Sequence, residues 1–218
     1  MKRLIPAGLI VFTGIIIAYF LIKPKQLPVY NPSDINPKLV DESLQGVNKL
    51  HRIGSFNLIN QNGKTITEKD FEGKIYIADF FFVTCPTICP KMTKQMKRVY
   101  QKFESNSDVL ILSHTVMPEH DSVPVLKEYE IKNEVSAPKW NFVTGDKKQI
   151  YNLARKSYFA AITEGDGGVD DFIHTENFVL IDKEKRIRGF YDGTSENDVD
   201  RLINDVSTLL NEKLEIRN

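Results

Sequence analysis

The chain has 218 residues, with 29 basic and 29 acidic side chains, 41% apolar residues, two cysteines and four histidines. That length suits one domain with additions. A net charge of zero gives no basis for a nucleic-acid partner or for binding an anionic surface, and two cysteines cannot staple a fold of this size, so they point to local chemistry.

From Leu4 to Ile22 the sequence carries no charge, about the length a helix needs to cross a hydrocarbon core. Residues 4–22 are therefore expected to form a single-pass membrane anchor. Lys2 and Arg3 favour an N-terminus left in the cytoplasm, and Pro6 and Gly14 are tolerable in a membrane helix. A cleaved signal peptide is the rival reading, but its apolar stretch is normally shorter, and no small-x-small site precedes Lys23. No cysteine lies nearby to carry a lipid. Such an anchor leaves the remaining chain outside the cytoplasmic membrane, where disulfides persist. Prolines 24, 28, 32 and 37 in a polar setting read as an extended tether. The expected organisation is anchor 1–23, tether 24–48 and domain 49–218.

Within the domain, "FNLINQNGKTIT" reads as a hairpin turning at Asn62-Gly63, and "EKDFEGK" as a short turn or helix. "KIYIADFFFV" is a long apolar run, typical of a central strand buried on both faces. Met92, Met96, Val99, Tyr100 and Phe103 then fall on one helical face. "DVLILSHTV" is a strand, "SVPVLKEYEI" a short helix, "KWNFVTG" a third strand and "DKKQIYNLARKSY" a helix. "NFVLIDKEKRIRGFYDG" is a hairpin turning at Asp182 to Lys185, and a last helix aligns Val199, Leu202, Ile203, Val206, Leu209 and Leu210. Strands alternating with helices predict a mainly parallel sheet with one late antiparallel hairpin. The fold class is α/β and thioredoxin-like: a central mixed sheet flanked by helices, with an N-terminal hairpin and an N-terminal transmembrane helix.

Both cysteines lie in "FFVTCPTICPKM", at the first strand–helix junction. Reactive groups gather at the carboxyl ends of strands in such sheets. Proline is comfortable at the first helical position, so Pro90 is expected to start the helix, with Cys89 as its cap. A four-residue offset in a helix-like turn sets the side chains about 5–6 Å apart at Cβ. With local adjustment, that spacing suits a disulfide or a shared metal ion, and a helix N-terminus favours the thiolate. Two inert packed thiols are the plain alternative. Two thiolates make an incomplete metal site, and a third ligand would come from His51, His114, His120 or His174. His174, just before the late hairpin, is the best placed, because in a thioredoxin-like sheet that hairpin's entrance lies beside the first strand–helix junction.

With these residues in place, the sequence resembles the SCO/SenC family of membrane-anchored, thioredoxin-like copper proteins. Cys85, Pro86, Cys89 and Pro90 are similar to the family's C-P-x-x-C-P motif, and "DDFIHTENFVLID" resembles its distal histidine motif. "WNFVTG" and "GFYDG" also resemble family segments. The resemblance implies copper ligation by Cys85, Cys89 and His174, with copper as Cu(I) or Cu(II). In one departure, Met117 stands where family members commonly have aspartate, and His120 where a basic residue is usual. Met117 is either a plain loop residue or a weak soft ligand suited to Cu(I).

Soft thiolates favour Cu(I), and an imidazole completes a trigonal site or holds Cu(II); zinc also fits two thiolates and a histidine. The resemblance implies a metallochaperone that delivers copper to the binuclear copper centre of cytochrome c oxidase during assembly. Its partners would be the oxidase's copper-bearing subunit, another periplasmic copper chaperone or a thiol reductase. The setting would be a bacterial-type inner membrane, with the domain on the periplasmic side, rather than a mitochondrial one. The alternative is a membrane-anchored thiol–disulfide oxidoreductase that reduces oxidase cysteines before metallation, with Cys85 and Cys89 as the redox pair. Asp79 bears on it, lying six residues before Cys85, where a thioredoxin-like resemblance implies a buried aspartate that handles protons. The plain alternative is an aspartate at a strand edge or paired with a lysine. A peroxidase would want an arginine beside its cysteine, and none lies between Arg52 and Arg98.

Overall fold

The computed structural model describes residues 12–13, 26–46, 50–161, 168 and 171–212. The anchor expected over residues 4–22 falls outside them apart from Phe12 and Thr13, which are helical. Among the described residues no helix is long and apolar enough to cross a membrane.

The domain opens with the expected hairpin, β1 (Asn57–Asn60) and β2 (Thr65–Thr67). Asn60 closes its turn: its side-chain Oδ1 accepts from the Asn62 and Lys64 N–H groups, both at 3.0 Å. Gly63 takes φ +73°, a backbone state that costs glycine no Cβ clash. After a 3-10 turn over Glu68–Phe71, β3 (Ile75–Phe81) is buried at every position. There follow α1 (Ile88–Phe103), β4 (Val109–Thr115), α2 (Val123–Asn133), β5 (Trp140–Thr144), α3 (Lys147–Asn152), β6 (Asn177–Ile181), β7 (Ile187–Asp192) and α4 (Glu196–Asn211).

Among the described residues the seven strands form one sheet in the order β2-β1-β5-β4-β3-β6-β7. Only β3–β4 and β4–β5 run parallel; the other neighbours are antiparallel. The sheet is thus mixed, as the fold class predicts, with fewer parallel pairs than the alternation of strands and helices suggests, and for β6 the cause lies in α3. Six helical residues rise only about 9 Å, too little to carry the chain back along a strand. A π-helical turn over Leu153–Ser157 and a positive φ of 49° at Phe159 then redirect the chain. β6 therefore enters from the end of the sheet where β3, β4 and β5 finish, and runs against β3.

Alternation along β3 divides the interior into two cores. Ile75, Ile77 and Phe81 pack with Met92, Met96 and Val99 of α1 and Val199, Leu202 and Val206 of α4. Tyr76, Ala78 and Phe80 face the other way, with Ile150 and Tyr151 of α3. The stripes predicted on α1 and α4 are the buried faces of those helices; Ile203 and Leu210 pack at the margin.

The described part of the stretch read as a tether, residues 26–46, lies against the domain. Leu27 and Val40 are buried, and the Tyr30 N–H bonds the Ile187 carbonyl at 2.9 Å. Arg188 donates to the carbonyls of Leu27 (2.7 Å) and Pro28 (3.0 Å) while it pairs with Asp182 and Glu212. Its buried guanidinium leaves few donors unsatisfied, as a buried cation requires.

Candidate functional site

β3 delivers the chain into the loop that holds both cysteines. The helix beyond it starts at Ile88, with Thr87 at the N-cap, two residues before the start expected at Pro90. Cys89 is therefore inside the first turn and not its cap. Pro90 sits there without strain, because first-turn N–H groups have no intrahelical acceptor.

Both cysteines are free thiols and almost wholly buried, Cys85 at 6% and Cys89 at 4% exposure. The Cys89 N–H points at Cys85 Sγ, 3.4 Å away. Burial alone would raise the Cys85 thiol, but the N–H groups of Thr87 and Cys89 and the Cys89 thiol all stabilise its anion, so its pKa lies below the ordinary value. Burial pushes Cys89 the other way, to about 12, and the neighbouring Cys85 sulfur and Asp79 carboxyl add to the rise. No acidic residue occupies the first turn of α1, so the positive helix end acts on the sulfurs unopposed. Cys85 is thus the more readily ionised thiol of the pair and Cys89 the less. Brief alkylation of the native protein near neutral pH should modify Cys85 well ahead of Cys89, read by peptide mass mapping. Equal labelling of the two would contradict the assignment.

Asp79 is neither at a sheet edge nor paired with a lysine. It is buried in the central strand, where Ser113 Oγ donates to its carboxylate in a short hydrogen bond. Ser113 in turn accepts from Trp140 Nε1 at 2.8 Å. Burial raises the Asp79 pKa to about 7 despite the serine.

The four histidines separate clearly. His51 Nε2 donates to the Ser157 carbonyl at 2.7 Å. His114 is wholly buried in the second core, stacked on Phe80 at 4.8 Å, and burial pulls its pKa down to about 4. Its Nδ1 lies 3.2 Å from the Asp79 carbonyl, and its Nε2 has no partner. His120 is exposed in the loop after β4. His174 is also exposed, on the short arm leading into β6. β6 pairs with β3 as Tyr76–Ile181, Ile77–Leu180 and Ala78–Val179. The same register continued past the strand ends sets His174 level with Val83, two residues before Cys85. An edge-on contact between Phe82 and Phe172, centroids 5.4 Å apart, joins the cysteine loop to this arm. Among the described residues, however, no three His, Cys, Asp or Glu side chains gather closely enough to hold a metal. The two cysteines are adjacent, and the His174 imidazole is exposed on the arm that Phe172 joins to the cysteine loop. Met117 is half-buried and packs against the second core.

The loops carry residues that the sequence did not reveal. Asp121 is buried at 1% exposure; its Oδ2 accepts from the Val83 N–H at 3.1 Å and from Thr115 Oγ1 at 2.5 Å. It thereby ties the loop after β4 to the root of the cysteine loop. Tyr151 and the Arg155–Asp171 pair do the same for the histidine arm. An aspartate just ahead of Ser-Val-Pro reads in sequence as loop or helix cap; only the three-dimensional approach of two loops shows its partner.

A mixed α/β domain with an unequal dithiol at a strand–helix junction defines a thiol-chemistry or soft-metal protein. The family model described as SCO1/SenC matches residues 45–211, and the chain belongs to that family. It is 34% identical over 160 residues to the SCO1 protein homolog of Bacillus subtilis, covering 72% of this chain and 82% of that protein. Among solved structures it resembles BsSco, a Sco-family cytochrome c oxidase assembly protein with a disulfide switch. The TM-score is 0.64 at 32% identity, over 75% of this chain and 95% of that one. It also resembles Arabidopsis thaliana ScoI with copper bound, with a TM-score of 0.58 at 30% identity, over 73% of this chain and 99% of that one.

Proposed function

We propose that this protein is a thioredoxin-like copper metallochaperone that carries copper on Cys85, Cys89 and His174 and delivers it to the binuclear copper centre of cytochrome c oxidase during assembly. Copper is its cargo. The observation that carries the reading is the adjacent sulfur pair with a solvent-facing imidazole on the neighbouring arm. Copper-bound A. thaliana ScoI and the oxidase-assembly role of BsSco support it. Two sulfurs and one nitrogen suit Cu(I) and also hold Cu(II). Binding draws the exposed imidazole toward the sulfurs, and an incoming thiolate can displace it without opening the core, so release proceeds by ligand exchange. Met117, half-buried against the other core, is read as a plain loop residue, with a weak soft ligand as the alternative. In this reading residues 4–22 anchor the chain in a bacterial-type inner membrane, residues 49–218 lie on the periplasmic side, and the partner is the oxidase's copper-bearing subunit.

The split between the cysteine pKa values, Cys85 lowered and Cys89 raised, favours a second reading: a thiol–disulfide oxidoreductase in which Cys85 attacks an oxidase disulfide and Cys89 resolves the mixed disulfide.

Anaerobic copper titration tests the first. One copper per chain should bind to the reduced protein and none to the oxidised, because a disulfide offers no thiolate. Equal uptake by both forms, or full-strength binding after Cys85→Ser, would rule this site out.

A further inference from the structure

We propose that Tyr151, Arg155 and Asp171 are positioning residues for His174: they fix the arm that carries the imidazole at the height of the cysteine loop. The inference rests on the reading of His174 as a copper ligand and names what presents it.

Arg155 and Asp171 form a two-pronged ion pair at 2.6 and 2.7 Å, with side chains only 6% and 8% exposed. Stability alone is a weak reason for such a pair, since well-packed apolar residues commonly serve as well. What the planar guanidinium supplies is geometry, because it holds a carboxylate in one orientation as well as at one distance. The held carboxylate is three residues before His174. Arg155 itself lies in the π-helical turn Leu153–Ser157, four of whose five residues are buried. Such wide turns cost regular hydrogen bonding and recur at functional sites. Here the turn directs a cation inward.

The Tyr151 hydroxyl donates to the Val116 carbonyl at 2.9 Å and approaches the Asp171 carbonyl at 3.3 Å. It thereby joins the histidine arm to the loop after β4. That loop is fixed in turn to the cysteine loop by the Val116 N–H on the Phe81 carbonyl (2.8 Å) and by Asp121 on the Val83 N–H (3.1 Å). On the far side of His174, Thr175 Oγ1 donates to the Ala160 carbonyl at 2.6 Å. The arm is thus held at both ends, and the exposed imidazole projects from the short span between them. A donor that meets copper by rotation of one side chain loses little freedom on binding, which is the advantage of a pre-set outer shell.

The test uses the full-length protein as wild type, Tyr151→Phe, Asp171→Asn, the paired variant Arg155→Met/Asp171→Leu, and His174→Ala as reference. The paired variant leaves no lone buried charge, and Tyr151→Phe removes one oxygen only, so at least one of them should fold. Cu(II) retention should fall about tenfold in each positioning variant, as when an outer-shell partner is lost. The Cu(II) paramagnetic resonance spectrum should shift toward that of His174→Ala, while the thiol–disulfide potential of Cys85 and Cys89 stays at the wild-type value. If His174→Ala loses copper but the positioning variants keep the wild-type spectrum and affinity, the inference is overturned and the ligand reading stands. Loss of copper together with a shifted thiol potential means general disruption and also overturns it. Should His174→Ala itself bind copper like wild type, the ligand reading falls and the inference falls with it.

Discussion

His174→Ala should cripple copper retention and leave dithiol chemistry almost untouched. On the proposed ligand set, the substitution removes one donor from the metal and neither sulfur. Loss of a direct ligand should exceed the about 10–100-fold that losing an outer-shell partner costs, and the effect should be larger for Cu(II), which prefers nitrogen more than Cu(I) does. Reduction of a disulfide in a model peptide draws on the two thiols alone, and both are retained, so it should proceed at the wild-type rate. The two proposed functions therefore separate in cells. If copper delivery dominates, cells carrying His174→Ala lose oxidase activity, and added copper restores part of it. If reduction dominates, those cells respire normally and Cys89→Ser cells do not. Normal oxidase assembly by His174→Ala at limiting copper would sink the chaperone reading and promote the reductase.

The parts of this site that were legible in the sequence are those encoded locally. The cysteine loop announces itself because a long apolar strand, two thiols, two prolines and an amphipathic helix follow one another within the stretch 74–103. The hairpins were equally plain, since Asn62-Gly63 and Asp182 to Lys185 interrupt alternating runs. The direction of β6 was not legible. It depends on α3 ending after six residues, and nothing in "DKKQIYNLARKSY" marks where an α-helical turn widens into a π-helical one. The helix start at Ile88 was missed because proline is as comfortable in the third helical position as in the first. Asp121 and the Arg155–Asp171 pair were missed for a different reason. Each joins segments 16 or more residues apart, and no periodicity encodes such a meeting. Asp79 is intermediate. An aspartate inside "KIYIADFFFV" is visibly out of place, but whether it sits at an edge or in the core depends on which strands flank β3.

That burial makes Asp79→Asn the substitution with the clearest effect on stability, and its direction depends on pH. The folded-state pKa is raised from 3.8 to about 7 by burial. A group whose folded pKa lies above its unfolded value stabilises the native state fully below the unfolded pKa, and that contribution is lost as pH rises through the folded one. Wild type should therefore lose stability relative to Asp79→Asn between about pH 4 and 7, on the order of 1 kcal/mol per pH unit. Above that window the difference should be flat. Asparagine keeps an acceptor for Ser113 and cannot ionise, so any cost of its extra amide hydrogens shifts the whole curve without changing its slope. The groups around Asp79 fit this reading. Ser113 on β4 donates to it, and Trp140 on β5 donates to Ser113, while Cys89 on α1 and Tyr129 on α2 both feel its charge and have their own pKa values raised. No cation among them offsets the carboxylate. Urea unfolding of the reduced proteins from pH 4 to 8 measures the effect, and a difference between variant and wild type that stays constant across the range would show that Asp79 is ionised throughout. The same change reaches the dithiol. Ionised Asp79 opposes the Cys89 thiolate, so neutralising it should speed alkylation of Cys89 above pH 7 and leave Cys85 unaffected.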